Sequence, residues 1–158
     1  MKFRTIEQRD NATIAKIIRS SLDSHGLGIP GTVYTDPTTD DLYTLFKNKD
    51  SIYYIAEEGG KVLGGCGLFP TKGLPDGYIE LVKLYLSDEA KGQGLGEKLM
   101  RHCITWAKKK GYTHLYLETI NELSSAIKLY KKLSFKHIDH PLGDSGHNAC
   151  EIWMQLEV

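Results

Sequence analysis

The sequence predicts an α/β fold in which a mixed central sheet of about seven strands is flanked by about four helices. Segments with strand and helix periodicity follow one another in the order β α α β β β α β α β β. Two early strands are joined by a short glycine turn, as in an antiparallel hairpin, whereas later strands are joined through helices, as in parallel crossovers. Because no repeat or proline-rich linker divides the 158 residues, a single domain spanning residues 1–158 is expected.

The first half of the chain is expected to supply three strands and two helices. Asp10 can cap a helix whose apolar residues recur at helical spacing until Gly26 ends it. A second, shorter helix is expected from about residue 39. The predicted strands of this half are residues 3–6, 52–57 and 62–69. In the last of them, glycines at positions 64, 65 and 67 predict a bulge or a close approach of other atoms to the backbone.

The second half is expected to alternate strands with two longer helices. One helix should run from about Gly94 to Lys110, because three lysines and a glycine favour its end there. The segment Thr119-Ile120-Asn121-Glu122 resembles a capping box and predicts the start of the other helix, which carries Tyr130. The predicted strands of this half are residues 78–86, 113–118, 135–140 and 149–156.

Composition excludes several classes of protein. With 20 basic and 20 acidic residues the formal net charge is zero, so no overall field favours nucleic acid or an anionic membrane. No apolar stretch approaches the roughly 20 residues of a membrane span, and no apolar leader follows Met1. An odd number of cysteines, three, favours a reducing, cytoplasmic setting over a disulfide framework.

The segment Lys91-Gly92-Gln93-Gly94-Leu95-Gly96 joins a predicted strand to a predicted helix through three alternate glycines. Backbone amides can converge there without obstruction by side chains, and the helix start adds a positive dipole end, so the loop suits a phosphate or pyrophosphate. It does not match a Walker A loop, and it departs from the dinucleotide fingerprint in the place of its third glycine. A loop with only a turning role is the simpler alternative.

Two motifs together resemble those of the GNAT superfamily of acetyl-CoA-dependent N-acetyltransferases. That superfamily carries Gln/Arg-x-x-Gly-x-Gly/Ala at a helix start, and residues 91–96 match it with lysine in the first position. It also carries Leu-Tyr-x-x-x-Gly-Phe, which corresponds to residues 129–135 with Ser134 in the place of the glycine. Where many members have an asparagine, seven residues before the tyrosine, this chain has Leu123, and Asn121 lies two residues earlier.

The resemblance implies acetyl-CoA as co-substrate. Backbone amides of the glycine loop would bind the coenzyme A pyrophosphate, and Lys91 would add a charge beside it. The pantetheine arm would pair with a strand edge exposed by a splayed sheet, and the Leu84 amide would polarise the thioester carbonyl. The implied cofactor-binding residues are Leu84, Tyr85, Leu86, Lys91, Gly92, Gln93, Gly94, Leu95, Gly96 and Asn121.

The resemblance also implies two residues that exchange protons with the substrates. Tyr130 matches the tyrosine that acts as general acid toward the departing thiolate, although it could simply continue the apolar face of its helix. Glu80 lies fourteen positions before Gly94, where some members carry a glutamate base, although it could be an exposed strand residue. Residues around Asp36 and His147 lie in irregular segments that could shape the acceptor end of the cleft.

Other interpretations of the sequence stay open at this point. His137, His140, His147 and Cys150 have zinc-like spacing, but alternate faces of a strand separate the first two, so we expect no metal. The acceptor is expected to be a primary amine of a small molecule or a peptide, and a homodimer through the terminal strands is implied by the resemblance. The competing functions are an NAD-linked oxidoreductase and a non-catalytic domain that binds or senses acyl-CoA.

Overall fold

The computed structural model describes all 158 residues and contains one seven-stranded sheet with four α-helices, as the sequence predicts. The element order also agrees with the prediction. The strands are β1 (Lys2–Thr5), β2 (Ile52–Glu58), β3 (Lys61–Phe69), β4 (Tyr78–Leu86), β5 (His114–Thr119), β6 (Lys136–Ile138) and β7 (Ile152–Glu157). The helices are α1 (Asn11–Ser24), α2 (Leu42–Leu45), α3 (Leu95–Lys110) and α4 (Ser124–Lys132).

The sheet has the strand order β1-β2-β3-β4-β5-β7-β6, and β4 and β5 are its single parallel pair. Their pairing is short: only residues 78–80 of β4 are in register with residues 114–116 of β5. Because β4 continues to Leu86 while β5 diverges from it, the sheet is splayed open along the second half of β4. The splayed mixed sheet expected from the family resemblance is therefore confirmed.

Each face of the sheet is covered by two helices. One core cluster packs α3 and α4 against the sheet and includes Leu99, Met100, Leu115 and Met154. The other core cluster packs α1 and α2 against the opposite face. The isoleucines of α1 recur at helical spacing, so one side of that helix is apolar and is buried in this second cluster. None of the four helices is both long enough and apolar enough to cross a membrane.

The glycines of β3 allow another part of the chain to approach closely, as the sequence predicts. A Cβ atom at Gly65 would lie 2.3 Å from Cε1 of Tyr53, and one at Gly67 would lie 2.6 Å from its Cδ2. The register between β3 and β4 shifts between these two glycines, and in the same part of β4 Lys83 has a φ of 55°. The tyrosine ring therefore occupies the space that side chains on β3 would need, beside a bulge in the sheet.

Asp10 precedes α1, but the prediction that its side chain caps this helix is wrong. A single 3-10 turn at residues 8–10 leads into the helix, and Asp10 itself has helical backbone angles. Its buried carboxylate instead accepts hydrogen bonds from the Glu7 amide and from both terminal nitrogens of Arg4, at 2.8 and 2.9 Å. The arginine therefore binds the carboxylate that a helix amide would otherwise have bound, and ties β1 to the start of α1.

The predicted capping box at residues 119–122 is also wrong, because β5 continues through Thr119 and α4 begins only at Ser124. The two last strands are shorter than predicted, since residues 139–151 form a loop between β6 and β7. This loop bonds to other loops: the Asp144 amide donates to the Lys72 carbonyl at 2.8 Å, and the Ala149 amide donates to the Gly31 carbonyl at 3.1 Å. Long-range contacts of this kind are not encoded in local periodicity.

Ser134 follows α4 in a left-handed conformation, with a φ of 74°. The amides of Ser134 and Phe135 donate to the carbonyls of Lys131 and Tyr130, both at 3.0 Å, and so complete the end of the helix. This is the geometry for which glycine is the usual residue, because a Cβ atom is strained there.

Replacing Ser134 with glycine should therefore stabilise the protein by up to about 1 kcal/mol, because the strain at the left-handed position is removed. The measurement is the free energy of unfolding in urea. Ser20→Gly, on the exposed side of α1, is the matched control and should cost about 0.5 kcal/mol, since glycine is a poor helix former. Equal destabilisation by both substitutions would contradict the account of Ser134.

Candidate functional site

A cavity of about 530 Å³ lies where β4 and β5 separate. Its walls come from both strands, from the start of α3, from α4 and from the loops at residues 32–33 and 147–150. Ten of the residues predicted from the sequence line it together: Glu80, Leu84, Tyr85, Leu86, Lys91, Gly92, Gly94, Leu95, Gly96 and Tyr130. The gap in the sheet thus brings the glycine loop and both predicted proton-transfer residues to a single site.

The glycine loop reaches the cavity with its backbone. Gly92 and Gly94 have φ values of 78° and 74°, and space is open where their Cβ atoms would stand. Gly94 is the N-cap of α3, so the free amides and the positive dipole end of a 16-residue helix face this region. The side chain of Lys91 forms an exposed ion pair with Asp88 at 2.9 Å, and the side chain of Gln93 is bonded to the Glu89 carbonyl. Of these two side chains, only that of Lys91 belongs to a residue lining the cavity.

The free edge of β4 forms one wall of the cavity. Leu84, Tyr85 and Leu86 line it, and on the β5 side they have no strand partner because parallel pairing stops at Glu80. Backbone polar groups on this edge require a partner from another molecule or from water. An extended ligand with amide groups could pair there as an added strand would.

Tyr130, on α4, is one of the residues that line this cavity. The residue is 7% exposed and its ring packs against that of Phe135 at 5.8 Å between centroids. Burial raises the pKa of Tyr130 well above its ordinary value of 10, so the phenol is protonated at neutral pH. Tyr130 thus belongs both to the hydrophobic core and to the wall of the cavity, and its role as general acid stays a prediction.

Glu80 is a buried carboxyl group, and this overturns the alternative that it is an exposed strand residue. It is 3% exposed and accepts a hydrogen bond from the Thr71 hydroxyl at 2.6 Å. Burial raises its pKa to about 7, and the nearby charge of Glu118 acts in the same direction. A carboxyl group that titrates near neutral pH can accept a proton from a substrate and release it again.

Two further charged residues of the site were missed by sequence reasoning. Glu118 on β5 lines the cavity and accepts hydrogen bonds from the hydroxyls of Tyr116, at 2.6 Å, and Ser145. Lys83 lies in the β4 bulge with its side chain only 3% exposed, and its ammonium group is 3.6 Å from the Asp36 carboxylate. A polar residue near the carboxyl end of a parallel strand was an available signal for Glu118, whereas nothing local distinguished Lys83.

The loops that contain Asp36 and His147 meet at the end of the cavity opposite the glycine loop. Nε2 of His147 lies 3.0 Å from Oδ2 of Asp36. This contact, followed by a hydrogen bond from Thr38, holds the pKa of Asp36 well below its ordinary value. His147 and Cys150 both line the cavity, and burial raises the pKa of the Cys150 thiol to about 12. The thiol is therefore protonated at neutral pH and is not poised as a nucleophile.

Asn121 is not brought into the cavity. Its side-chain amide donates to the exposed carboxylate of Glu151 at 3.0 Å, and Ile120 and Leu123 line the cavity on either side of it. The physical reason is that β5 ends one residue later than predicted, at Thr119, which places residue 121 in the turn before α4 with its side chain bonded to the residue that precedes β7. No group of three or more histidine, cysteine, aspartate or glutamate side chains is placed to hold a metal ion.

Comparison with known proteins places this architecture in a family. Residues 18–135 match the family model described as Acetyltransferase (GNAT) family. The chain is 36% identical over 157 residues to an uncharacterized N-acetyltransferase, YjgM, of Escherichia coli, covering 99% of this chain and 94% of that protein.

Solved structures share the fold along almost the whole length. An acetyltransferase of the GNAT family from Staphylococcus aureus superposes with a TM-score of 0.86 at 18% identity, covering 99% of this chain and 98% of that one. The structure of yncA from Salmonella typhimurium, with its cofactor acetyl-CoA, superposes with a TM-score of 0.74 at 22% identity, covering 99% and 93%. The chain belongs to the GNAT family of acetyltransferases.

Proposed function

We propose that residues 1–158 form one N-acetyltransferase domain that moves an acetyl group from acetyl-CoA to a primary amine within a ternary complex. The observation that carries this proposal is the continuous cavity between β4 and β5, which connects the glycine loop at one end to the buried Glu80 at the other. An acyl carrier bound at the loop and an amine bound beside Glu80 would meet at the bulge of β4. Membership of the GNAT family favours this activity over that of an NAD-linked oxidoreductase.

The cofactor half of the site is built mainly from backbone. The amides of residues 92–96 would bind the pyrophosphate of acetyl-CoA, because they combine open space with the positive end of α3. The pantetheine amides would pair with the free β4 edge at residues 84–86. Acetyl-CoA in the structurally similar yncA supports this choice of co-substrate.

Gly94→Ala should therefore weaken acetyl-CoA binding about tenfold, because alanine is strained at a φ of 74° and the loop amides would be redirected. Lys91→Ala should weaken binding less, about threefold, since it removes one exposed charge that already has a partner in Asp88. Isothermal titration calorimetry measures both dissociation constants.

Gly111→Ala is the matched control for the loop substitution. Gly111 ends the same helix with a φ of 87° and open space at its Cβ position, so the strain is similar but far from the cavity. It should lower stability without changing the affinity for acetyl-CoA. Equal loss of affinity in Gly94→Ala and Gly111→Ala would contradict the assignment of the loop, and so would an unchanged affinity in Gly94→Ala.

The transfer itself needs one bond formed, one bond broken and two protons moved. The amine nitrogen attacks the thioester carbonyl carbon, the carbon–sulfur bond breaks as the amide forms, and the coenzyme leaves as a thiolate. Glu80 would take the proton that the amine loses, and the Tyr130 hydroxyl would give a proton to the thiolate. Burial raises the pKa of Tyr130, so its hydroxyl keeps the proton until the thiolate forms beside it.

Tyr130→Phe should lower kcat about a hundredfold and leave the dissociation constant of acetyl-CoA nearly unchanged, because only the proton donor is removed. Steady-state assays of free thiol release and calorimetry measure the two quantities. Tyr112→Phe, which removes a hydroxyl bonded to the Asp50 carbonyl outside the cavity, is the control. Unchanged turnover in Tyr130→Phe would contradict its role as proton donor. A wild-type protein that binds acetyl-CoA but is inactive toward every amine would instead favour a non-catalytic domain that binds or senses acyl-CoA.

Glu80→Gln should lower kcat/KM about a hundredfold and abolish its rise with pH near pH 7, because the amide cannot accept a proton. Stability gives a second readout. The wild-type carboxyl holds its proton in the folded state up to about pH 7 but loses it near pH 4.5 when unfolded. Wild-type stability should thus fall relative to the variant as the pH rises through this window, by up to about 3 kcal/mol.

Urea unfolding at pH 5 and pH 8 measures this difference, with Glu122→Gln on the surface as the control for loss of one carboxyl group. A stability difference between wild type and Glu80→Gln that does not change with pH would contradict a raised pKa of Glu80 in the folded protein. If kcat/KM of Glu80→Gln still rises with pH near pH 7, another group is the base.

The proposal also covers the amine acceptor, the oligomeric state and the cellular compartment of the enzyme. The loops bearing Asp36 and His147 close the acceptor end, and we propose that they select a primary amine of a small molecule or a peptide. A homodimer through the terminal strands stays a prediction. The proposed cytoplasmic setting is supported by Cys66, Cys103 and Cys150, all of which are free thiols.

A further inference from the structure

Tyr53 makes a hydrogen bond that crosses a whole strand of the sheet. It lies on β2, and its hydroxyl donates to the Lys83 carbonyl on β4 at 2.8 Å, passing over β3 between them. The residue is 1% exposed and does not line the cavity. Burial raises the pKa of Tyr53 well above its ordinary value, so the hydroxyl is always a donor at neutral pH.

The contact exists because two positions on β3 are glycine. The Tyr53 ring lies over Gly65 and Gly67, where Cβ atoms would stand 2.3 and 2.6 Å from ring carbons. Any larger residue at Gly65 would meet the outer part of the ring, including its hydroxyl oxygen at 2.8 Å. The glycine-rich strand thus forms a channel through which a β2 side chain reaches the bulge of β4.

The acceptor of this bond belongs to the peptide unit that matters most for the proposed reaction. The Lys83 carbonyl and the Leu84 amide share one planar trans peptide, so they point in opposite directions. A carbonyl held toward β2 and β3 leaves the Leu84 N–H directed toward β5, the side on which the cavity lies. Lys83 has a φ of 55°, a conformation that an L-residue keeps only where surrounding contacts enforce it.

We infer that Tyr53 is a positioning residue for acetyl transfer: its hydroxyl fixes the peptide between Lys83 and Leu84 so that the Leu84 amide faces the thioester oxygen. The inference rests on the proposed function, because it takes the Leu84 N–H as the donor to the developing oxyanion. Tyr53 would touch neither substrate and would act through one peptide unit.

The test is Tyr53→Phe, which keeps the ring on the glycines and removes only the hydroxyl. We expect kcat to fall between about tenfold and a hundredfold, less than for complete loss of an oxyanion donor, while the KM for acetyl-CoA changes less than about twofold. Tyr78→Phe is the matched control. Tyr78 lies on β4 like Lys83 but outside the cavity, and the change removes the part-buried hydrogen bond from its hydroxyl to Gln155 of β7. That variant should keep the wild-type kcat.

A spectroscopic readout separates positioning from general loss of structure. Infrared spectra of bound acetyl-CoA with a 13C-labelled acetyl carbonyl report the hydrogen bond to the thioester oxygen. In wild type and Tyr78→Phe the carbonyl band should move to lower frequency on binding, and in Tyr53→Phe this shift should be smaller. Gly65→Ala, which displaces the ring but keeps the hydroxyl, should reduce the shift in the same way and tests the inference if Tyr53→Phe does not fold.

The outcomes separate the inference from the proposed function. A wild-type band that shifts on binding, together with a Tyr53→Phe variant that keeps both the shift and the kcat, would overturn the role of Tyr53 and leave the proposed function standing. A wild-type protein that neither binds acetyl-CoA nor transfers its acetyl group would overturn both. If Tyr53→Phe and Tyr78→Phe lower kcat equally and both keep the wild-type shift of the carbonyl band, the hydrogen bond of Tyr53 is structural only, and the inference is overturned.

Discussion

The short parallel pairing of β4 with β5 is the constraint on which the rest of the site depends. Because the two strands share only three residues in register, the remainder of β4 has backbone groups that no neighbouring strand satisfies. The cavity lies along this edge, and the glycine loop follows β4 after a short 3-10 turn at residues 88–90. A continuous sheet would bury the same strand completely, and the loop would then be separated from Glu80 by a wall of hydrogen-bonded backbone.

Charged groups are concentrated along this gap in a way that a stable core alone would not favour. Glu80 and Lys83 are almost fully buried on one strand, and Asp36 with His147 reaches them from two different loops. Burial of a carboxyl group without a cationic partner raises its pKa, and strain at Lys83 adds a further cost to folding. Both costs fall at the point where the proposed substrates meet, which is where such strain and unusual pKa values tend to occur in enzymes.

The glycines of the chain serve two separate physical purposes. Gly92 and Gly94 are needed for their backbone angles, since space around them is open. Gly65 and Gly67 are needed for their lack of a side chain, since the Tyr53 ring fills the space above them. The first kind could be recognised from a motif. The glycines of the second kind predicted only that some other group approaches β3 closely. They could not identify Tyr53, because it is far from Lys83 in the sequence and near it only across the sheet.

Periodicity was sufficient to predict the order of the elements, and the glycine motif predicted the loop with the helix that follows it, because these depend on local spacing and on the chemistry of neighbouring residues. The splayed sheet was expected only from the family resemblance. Tertiary structure alone decided that Glu80 is buried, that Glu118 and Lys83 join it, and that Asn121 turns away toward Glu151. Burial and ion pairing between β4, β5 and three distant loops depend on how the chain closes on itself, and local sequence does not contain that information.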